Sequence, residues 1–371
     1  MAAETHISTR RTSHLLAAVV AATALIALAA QPAGAAAPRA FYGVSPQTGL
    51  SPTDLDRMGQ GKVGTLRIPL LWSNVDSAAP SGGFDFSGTD PIVLDAARNG
   101  IEVLPFLYGT PAWAANDLQG SNCKPRNCAT VAPTKPAALD AWGAFVRASV
   151  DRYGANGSFW VENPTLPKMP IKAWQVWNEQ NSRSFFAPKA KPKLYAKVLG
   201  AASSAIRAGD RSAEVVLGGM AELAGSRKAI PGSKFLSDFY KLKGIEKKFD
   251  GVGIHPYGAK VKKVADQVDL FTKEMKRDKK ASLWVTEIGA GSAKGGNPLN
   301  RGKRGQAKVV KDSYKYFAKK RKKLNVETVV WFSFVDSPIE ICEWCSTSGL
   351  FAEGLVEKPS WRAFTKFTGG S

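Results

Sequence analysis

The stretch Ile171-Lys172-Ala173-Trp174-Gln175-Val176-Trp177-Asn178-Glu179 is a mainly apolar run that ends in a glutamate, and Ser282-Leu283-Trp284-Val285-Thr286-Glu287 repeats the pattern. Runs of this kind are typical of strands covered on both faces. A carboxylate inside such a strand would carry a large desolvation cost, so we expect both glutamates at strand ends that face a cleft. The two stretches therefore predict a pair of carboxylates on the rim of a parallel barrel.

Strand and helix patterns alternate along the rest of the chain. Ser51 followed by Pro52 is a typical helix start. The predicted strands are 41–47, 64–72, 101–108, 172–179, 213–218, 251–255, 283–287 and 327–334. The predicted helices are 51–58, 90–99, 137–153, 193–208, 234–242, 264–277, 306–323 and 361–367.

Eight strand–helix units in this order predict an α/β protein with a single-domain (β/α)₈ TIM barrel. An open doubly wound sheet is the structural alternative. That fold usually carries a glycine-rich phosphate turn after its first strand, and residues 45–49 do not form one.

The first 35 residues have the pattern of a secretory signal peptide. Arg10 and Arg11 precede an apolar stretch at 15–30, and Ala33-Gly34-Ala35 fits a cleavage site. The apolar stretch is too short for a membrane span, and nothing after residue 40 is long and apolar enough to be one. We favour general secretion over twin-arginine export because polar Ser13 stands where that signal prefers an apolar residue. The sequence predicts a secreted protein whose mature domain is 36–371.

The four cysteines form two close pairs, Cys123 with Cys128 and Cys342 with Cys345. In an exported chain two local disulfides are expected, and a zinc site is the less favoured alternative. Cys342-Glu343-Trp344-Cys345 has the spacing of a redox motif, but it follows the last strand instead of opening a helix.

The formal net charge is +20, and much of the excess lies in 241–263 and 301–323. A solvated helix face is the first interpretation of the second cluster. Adhesion to an anionic cell wall or polysaccharide is the alternative. We do not expect a nucleic-acid partner because no motif combines basic and aromatic residues, and we expect a monomer.

The predicted strand ends bring together the chemistry of a sugar site. Flat rings stack on the apolar face of a sugar, and polar groups bind its hydroxyls. The candidate residues are Arg67, Asn178, Glu179, His255, Tyr257, Glu287 and Trp331. The structural alternatives are a core histidine at 255, an ion-pair partner at 67 and barrel core at 331.

These motifs resemble clan A glycoside hydrolases, the cellulase-like and xylosidase-like retaining (β/α)₈ glycosidases, over about residues 41–367. The matching segments are Leu66-Arg67-Ile68-Pro69, Pro111-Ala112-Trp113, Trp177-Asn178-Glu179-Gln180, Gly253-Ile254-His255-Pro256-Tyr257 and Trp284-Val285-Thr286-Glu287-Ile288-Gly289. In that clan the strand-four glutamate is the acid/base and the strand-seven glutamate is the nucleophile. One departure is Gln180, where the clan often has proline.

The resemblance implies a secreted retaining glycoside hydrolase that cleaves O-glycosidic bonds of an oligo- or polysaccharide without a metal or cofactor. Glu179 would be the acid/base and Glu287 the nucleophile, kept ionised by Arg67 or Tyr257. Asn178 would bind the sugar 2-hydroxyl, and Trp331 would be the aromatic floor under the cleaved sugar. Inverting hydrolysis and a barrel that binds wall polysaccharide without cleaving it are the alternatives.

Overall fold

The computed structural model describes residues 37–77, 83–223, 225–338 and 342–371. The predicted signal peptide, 1–35, therefore lies outside the described residues. Pro38–Ser371 forms one compact unit.

The strands in this part of the chain are β1 (Tyr42–Ser45), β2 (Thr65–Leu71), β3 (Glu102–Tyr108), β4 (Ala173–Val176), β5 (Glu214–Leu217), β6 (Met220–Ala221), β7 (Gly251–His255), β8 (Ser282–Ile288), β9 (Val326–Phe332), β10 (Phe351–Ala352) and β11 (Val356–Glu357). The α-helices are α1 (Pro52–Gln60), α2 (Trp72–Val75), α3 (Asp90–Arg98), α4 (Pro125–Cys128), α5 (Pro136–Tyr153), α6 (Ser158–Glu162), α7 (Pro192–Gly209), α8 (Gly232–Phe239), α9 (Val261–Met275), α10 (Gly302–Leu324) and α11 (Pro359–Thr368).

Strands β1 to β9 form a closed parallel barrel. Their order is β5-β4-β3-β2-β1-β9-β8-β7-β6, and β5 also pairs with β7. Because β5 and β6 both pair with β7, they are two parts of one interrupted strand, and the barrel has eight strand positions. The predicted (β/α)₈ TIM barrel is confirmed, with β8 as its seventh strand and β9 as its eighth.

Local sequence signals explain where the helices begin. The side chain of Ser51 accepts a hydrogen bond from the Asp54 backbone, and the Asp54 carboxylate accepts one from the Ser51 backbone, which makes a capping box at the start of α1. Pro136, Pro192 and Pro359 open α5, α7 and α11, where a missing N–H costs nothing. The short helices α2, α4 and α6 were not predicted.

Both predicted disulfides are present. The Cα atoms are 5.3 Å apart in Cys123–Cys128 and 5.1 Å apart in Cys342–Cys345, within the usual range. The first closes a turn after β3, and the second closes a turn after β9. Within the described ranges, every helix falls short of the length and apolarity that a bilayer crossing requires.

Candidate active site

A bulge in β8 sets the direction of Glu287. Between the pairs Val285–Val329 and Ile288–Trp331, β8 has one more residue than β9. Such an extra residue redirects a side chain at a barrel rim. Thr286 accordingly hydrogen-bonds Gln175 inside the barrel (3.2 Å), and its neighbour Glu287 also faces the barrel groups Arg67 and Tyr257.

Two residues with left-handed backbone conformation flank Asn178. Trp177 has φ +74° and Glu179 has φ +43°, values that non-glycine residues rarely adopt. Packing holds them: Trp177 is fully buried against Tyr108 and Trp142. Strain of this kind is a feature of functional sites, and here it turns Asn178 and Glu179 into the cleft together.

Arg67 connects the two halves of the site. Its side chain is 1% exposed, and its guanidinium donates to Glu287 Oε1 (2.7 Å), Asn178 Oδ1 (2.8 Å) and Gln175 Oε1 (2.7 Å). It also stacks over the Phe106 ring at 4.1 Å. An arginine stays charged at any physiological pH, so this one places a permanent positive charge beside Glu287.

The other oxygen of Glu287 accepts a short hydrogen bond from the Tyr257 hydroxyl. Burial by itself would raise the pKa of the Glu287 carboxyl, but His255 and Arg67 nearby, together with the hydrogen bonds from Tyr257 and Arg67, outweigh it and hold this pKa below its usual value. Burial, and then the Glu287 charge, raises the pKa of Tyr257 well above its usual value, so the phenol remains a donor. Glu287 is therefore an ionised carboxylate at neutral pH.

His255 lies between the two glutamates and is fully buried. Its Nδ1 is 3.0 Å from Glu179 Oε1, and its Nε2 is 3.6 Å from Glu287 Oε1. Nε2 has no hydrogen-bond partner among the described residues. A Cβ at Gly219 would collide with this nitrogen, so glycine is needed there for the imidazole to fit.

The two carboxylates face each other at the distance of a sugar-cleaving pair. One oxygen of Glu179, one of Glu287 and a ring nitrogen of His255 all lie within 4.8 Å of one another. The side chains of the two glutamates are 13% and 12% exposed, so both reach the cleft.

These three residues are also the group that could hold a cation within the described residues. The surroundings do not favour one. Both oxygens of Glu287 already accept hydrogen bonds, and the Arg67 guanidinium 2.7 Å from Oε1 would repel a metal ion.

The expected role of Trp331 is wrong. Its side chain is fully buried, and its Nε1 donates to the Ser348 carbonyl at 3.0 Å. Side chains alternate along a strand, and Val330 points at Gly43 inside the barrel, so Trp331 points out towards the helices. The structural alternative, barrel core, describes it correctly.

Two other aromatic residues, Phe332 and Trp344, lie on the side of the site that holds Tyr257. The Trp344 ring lies 4.9 Å from the Tyr257 ring and 6.1 Å from the Phe332 ring. Sequence reasoning read Trp344 only as part of a cysteine motif. Its position in a disulfide-closed turn after the last barrel strand was the signal that could have found it.

Gln175 was also missed. It is fully buried, it accepts from Arg67, and its Nε2 donates to Leu217 O (3.3 Å) and Thr286 Oγ1 (3.2 Å). A polar side chain in the middle of a buried strand must find partners, and that was the available signal. Gln180, the departure from the clan pattern, donates to the Gly218 carbonyl (3.0 Å) beneath the site.

Two mostly buried carboxylates face each other at the carboxyl ends of the fourth and seventh barrel strands. This arrangement is typical of a glycosidase active site. The chain belongs to the glycosyl hydrolase catalytic core family, whose model matches residues 168–354. That match begins just before β4 and ends after β9. It confirms the glycoside hydrolase assignment at the level of the family. No curated protein matches.

Solved structures share the fold at low sequence identity. A family 39 glycoside hydrolase from Bacteroides cellulosilyticus WH2 superposes with TM-score 0.63 and 18% identity, over 90% of this chain and 64% of that one. An exo-β-1,4-mannosidase from Opitutaceae bacterium strain TAV5 gives 0.59 and 14%, over 89% and 59%. A monomeric β-xylosidase from Caulobacter crescentus CB15 gives 0.60 and 18%, over 88% and 67%.

This chain thus spans about three fifths of the first two neighbours. The family match confirms that the chain is a glycoside hydrolase, and its barrel is similar to those of these glycosidases.

Proposed function

We propose that the protein is a secreted, retaining glycoside hydrolase that cleaves β-linked sugars by double displacement, with 36–371 as its catalytic domain. Glu287 is the nucleophile and Glu179 the acid/base. The observation that carries this proposal is that one oxygen of Glu179 and one oxygen of Glu287 lie within 4.8 Å of each other. Retaining enzymes hold their carboxyls about 5–5.5 Å apart, whereas inverting enzymes need about 6.5–9.5 Å for a water molecule.

In the first step Glu287 Oε attacks the anomeric carbon while Glu179 gives its proton to the leaving oxygen. A glycosyl ester forms on Glu287, and the C–O bond to the leaving group breaks. The contacts of Arg67 and Tyr257 support this role because they keep Glu287 ionised and fix both of its oxygens. In the second step Glu179 takes a proton from water, which hydrolyses the ester.

The surrounding residues would bind and orient the sugar. Asn178 Oδ1 is held by Arg67 (2.8 Å), and its NH₂ has no partner among the described residues, so it can donate to the sugar 2-hydroxyl. His255 Nδ1 hydrogen-bonds Glu179 and would fix the direction of its acid group. Phe332 and Trp344 offer the aromatic surface assigned earlier to Trp331.

The substrate class is supported by the neighbours only in outline. Two of the similar solved structures are an exo-β-1,4-mannosidase and a β-xylosidase. A plant- or wall-derived β-linked oligo- or polysaccharide is the proposal that fits them. The two disulfides suit an oxidising, extracellular location.

The test is a panel of activated aryl β-glycosides and β-linked polysaccharides with the wild type, Glu287→Ala and Glu179→Gln. Glu287→Ala should lose on the order of 10⁴–10⁶-fold in kcat, as enzymes do that lose a nucleophile. Glu179→Gln should lose about 10²–10⁴-fold on poor leaving groups and far less on dinitrophenyl glycosides, which need no proton. Glu246→Gln, at a distant 3-10 turn, is the matched control.

Early product analysed by NMR should keep the anomeric configuration of the substrate. A product of inverted anomeric configuration would show that the enzyme works by single displacement and would refute the retaining mechanism. Equal activity in the wild type and Glu287→Ala would remove the catalytic assignment. Binding of a polysaccharide without any cleavage would favour the alternative of a non-catalytic barrel.

A further inference from the structure

The exposed cations of α10 lie along one face of the helix. Their spacing is four, three, four, four and three residues, which returns each side chain to the same side. With a rise of about 1.5 Å per residue the row extends roughly 27 Å. The row, called here the α10 stripe, consists of Arg304, Lys308, Lys311, Lys315, Lys319 and Lys322, all of which are exposed.

Most of this charge is not neutralised locally. Among the described residues, the α10 stripe forms one ion pair, between Lys308 and Asp312 (2.5 Å). Asp312 is also the single acidic residue in the helix. In the other basic cluster, 241–263, Lys241 pairs with Asp238 (2.7 Å) and Lys262 with Asp266 (2.9 Å).

The stripe is held facing outward. The opposite face of α10 buries Val309, Val310, Tyr314 and Phe317 against the barrel. Near its first turn, Gln306 donates to the Ala290 carbonyl (2.9 Å) in the loop that follows β8. The α10 stripe therefore begins beside the rim that carries Glu287 and runs down the side of the barrel.

From this arrangement we propose that the α10 stripe binds an acidic polysaccharide, one that carries a carboxylate on each of many sugar units. Evenly spaced, mostly unpaired cations attract a chain of evenly spaced anions. Five of the six are lysines, point charges that suit diffuse attraction more than the bidentate grip of arginine on phosphate.

The face carries little that other polyanions would use. No aromatic residue of α10 is exposed, so there is no platform for stacking nucleic-acid bases. None of the exposed large apolar residues of the described chain lies on α10, so the helix has nothing to insert into a lipid surface.

The test is affinity electrophoresis and co-sedimentation with polygalacturonate, using a neutral β-glucan and duplex DNA for comparison. The variant Lys308→Gln/Lys311→Gln/Lys315→Gln/Lys319→Gln/Lys322→Gln should bind polygalacturonate roughly thirty-fold more weakly, if each lysine contributes a factor of about two. Wild-type binding should weaken about tenfold when the salt concentration rises from low to physiological values or above.

The control removes the same charge elsewhere, with exposed lysines changed to glutamine at Lys168, Lys189, Lys191, Lys193 and Lys197. Its affinity for polygalacturonate should fall by no more than about threefold, which is the effect of the lower net charge alone. A control loss equal to that of the stripe variant, equal binding to the neutral glucan, or tighter binding to DNA would each overturn the proposal. If the stripe variant melts early, Lys315→Glu/Lys319→Glu serves in its place. Unchanged binding of polygalacturonate by that double variant would overturn the proposal.

Discussion

Replacing Arg67 with methionine tests how the site keeps Glu287 charged. The change removes a guanidinium with hydrogen bonds to Glu287 (2.7 Å), Asn178 (2.8 Å) and Gln175 (2.7 Å), yet fills a similar volume. Breaking a buried ion pair by removing one partner costs about 3–5 kcal/mol, because the other charge is left in a poorly solvated place. We expect much of that cost to depend on pH.

The sign follows from the two pKa values of Glu287. In the wild type the pKa is lowered on folding, so ionised Glu287 contributes stability above its unfolded value of about 4.3, and this is lost as the pH falls through the lowered pKa. Arg67→Met removes the charge and the hydrogen bond of Arg67 but leaves His255 and Tyr257, and we expect burial then to dominate and the pKa of Glu287 to rise above its unfolded value. Ionisation then costs the variant stability as the pH rises. The difference in unfolding free energy should therefore grow by about 1.4 kcal/mol per pH unit above pH 4.3, over about two to three units.

Urea unfolding of both proteins at intervals from about pH 4 to pH 7 measures this difference. The double variant Arg67→Met/Glu287→Gln is the control, since it has no carboxylate at 287 and should show little of the pH-dependent part. A difference that stays constant over this range would refute the claim that Arg67 keeps Glu287 ionised. So would an equal slope in the double variant.

Three further outcomes are expected. Gly219→Ala should lower the free energy of unfolding by about 1–3 kcal/mol, because the new methyl group collides with His255; an unchanged melting temperature would contradict the packing. Trp344→Ala should raise KM for aryl glycosides more than it lowers kcat, while Trp331→Phe should move KM little; the reverse order would return the aromatic role to Trp331. Lys358→Met should cost about 3–5 kcal/mol in urea unfolding, because it leaves Asp336 (2.8 Å from Nζ) without its buried partner. Adding Asp336→Asn should recover part of that loss.

The sequence was sufficient for the barrel because its signals are local and repeated. Buried strands read as apolar runs, and helix starts such as Ser51-Pro52 have a defined chemistry. The closing of the sheet and the rim position of Asn178, Glu179, His255 and Glu287 follow from that order. The short helices and the split of the fifth strand into β5 and β6 do not, since they depend on packing between distant segments.

The directions of individual side chains are harder to predict from the sequence than the fold is. Trp331 was assigned to the cleft because it stands near a strand end, but alternation along β9 turns it to the helices. Glu287 would also have been misplaced by simple alternation after Thr286, and only the bulge in β8 brings it inside. Such offsets depend on the pairing of two strands, which one strand's sequence does not contain. Gln175 and Trp344 act through neighbours far apart in the chain, so their roles appear only in three dimensions.

The extra residue in β8 also bears on how this scaffold tolerates insertions and deletions. Loops beyond the rim can be lengthened or exchanged to suit new sugars, since their ends are already tied down by turns and disulfides. Loss of one residue between Val285 and Ile288 would instead remove the bulge and leave a single inward-pointing residue there, so Thr286 and Glu287 could not both face the barrel. Directed evolution of this protein should therefore treat the segment from Val285 to Ile288 as one indivisible piece and place all length variation outside it.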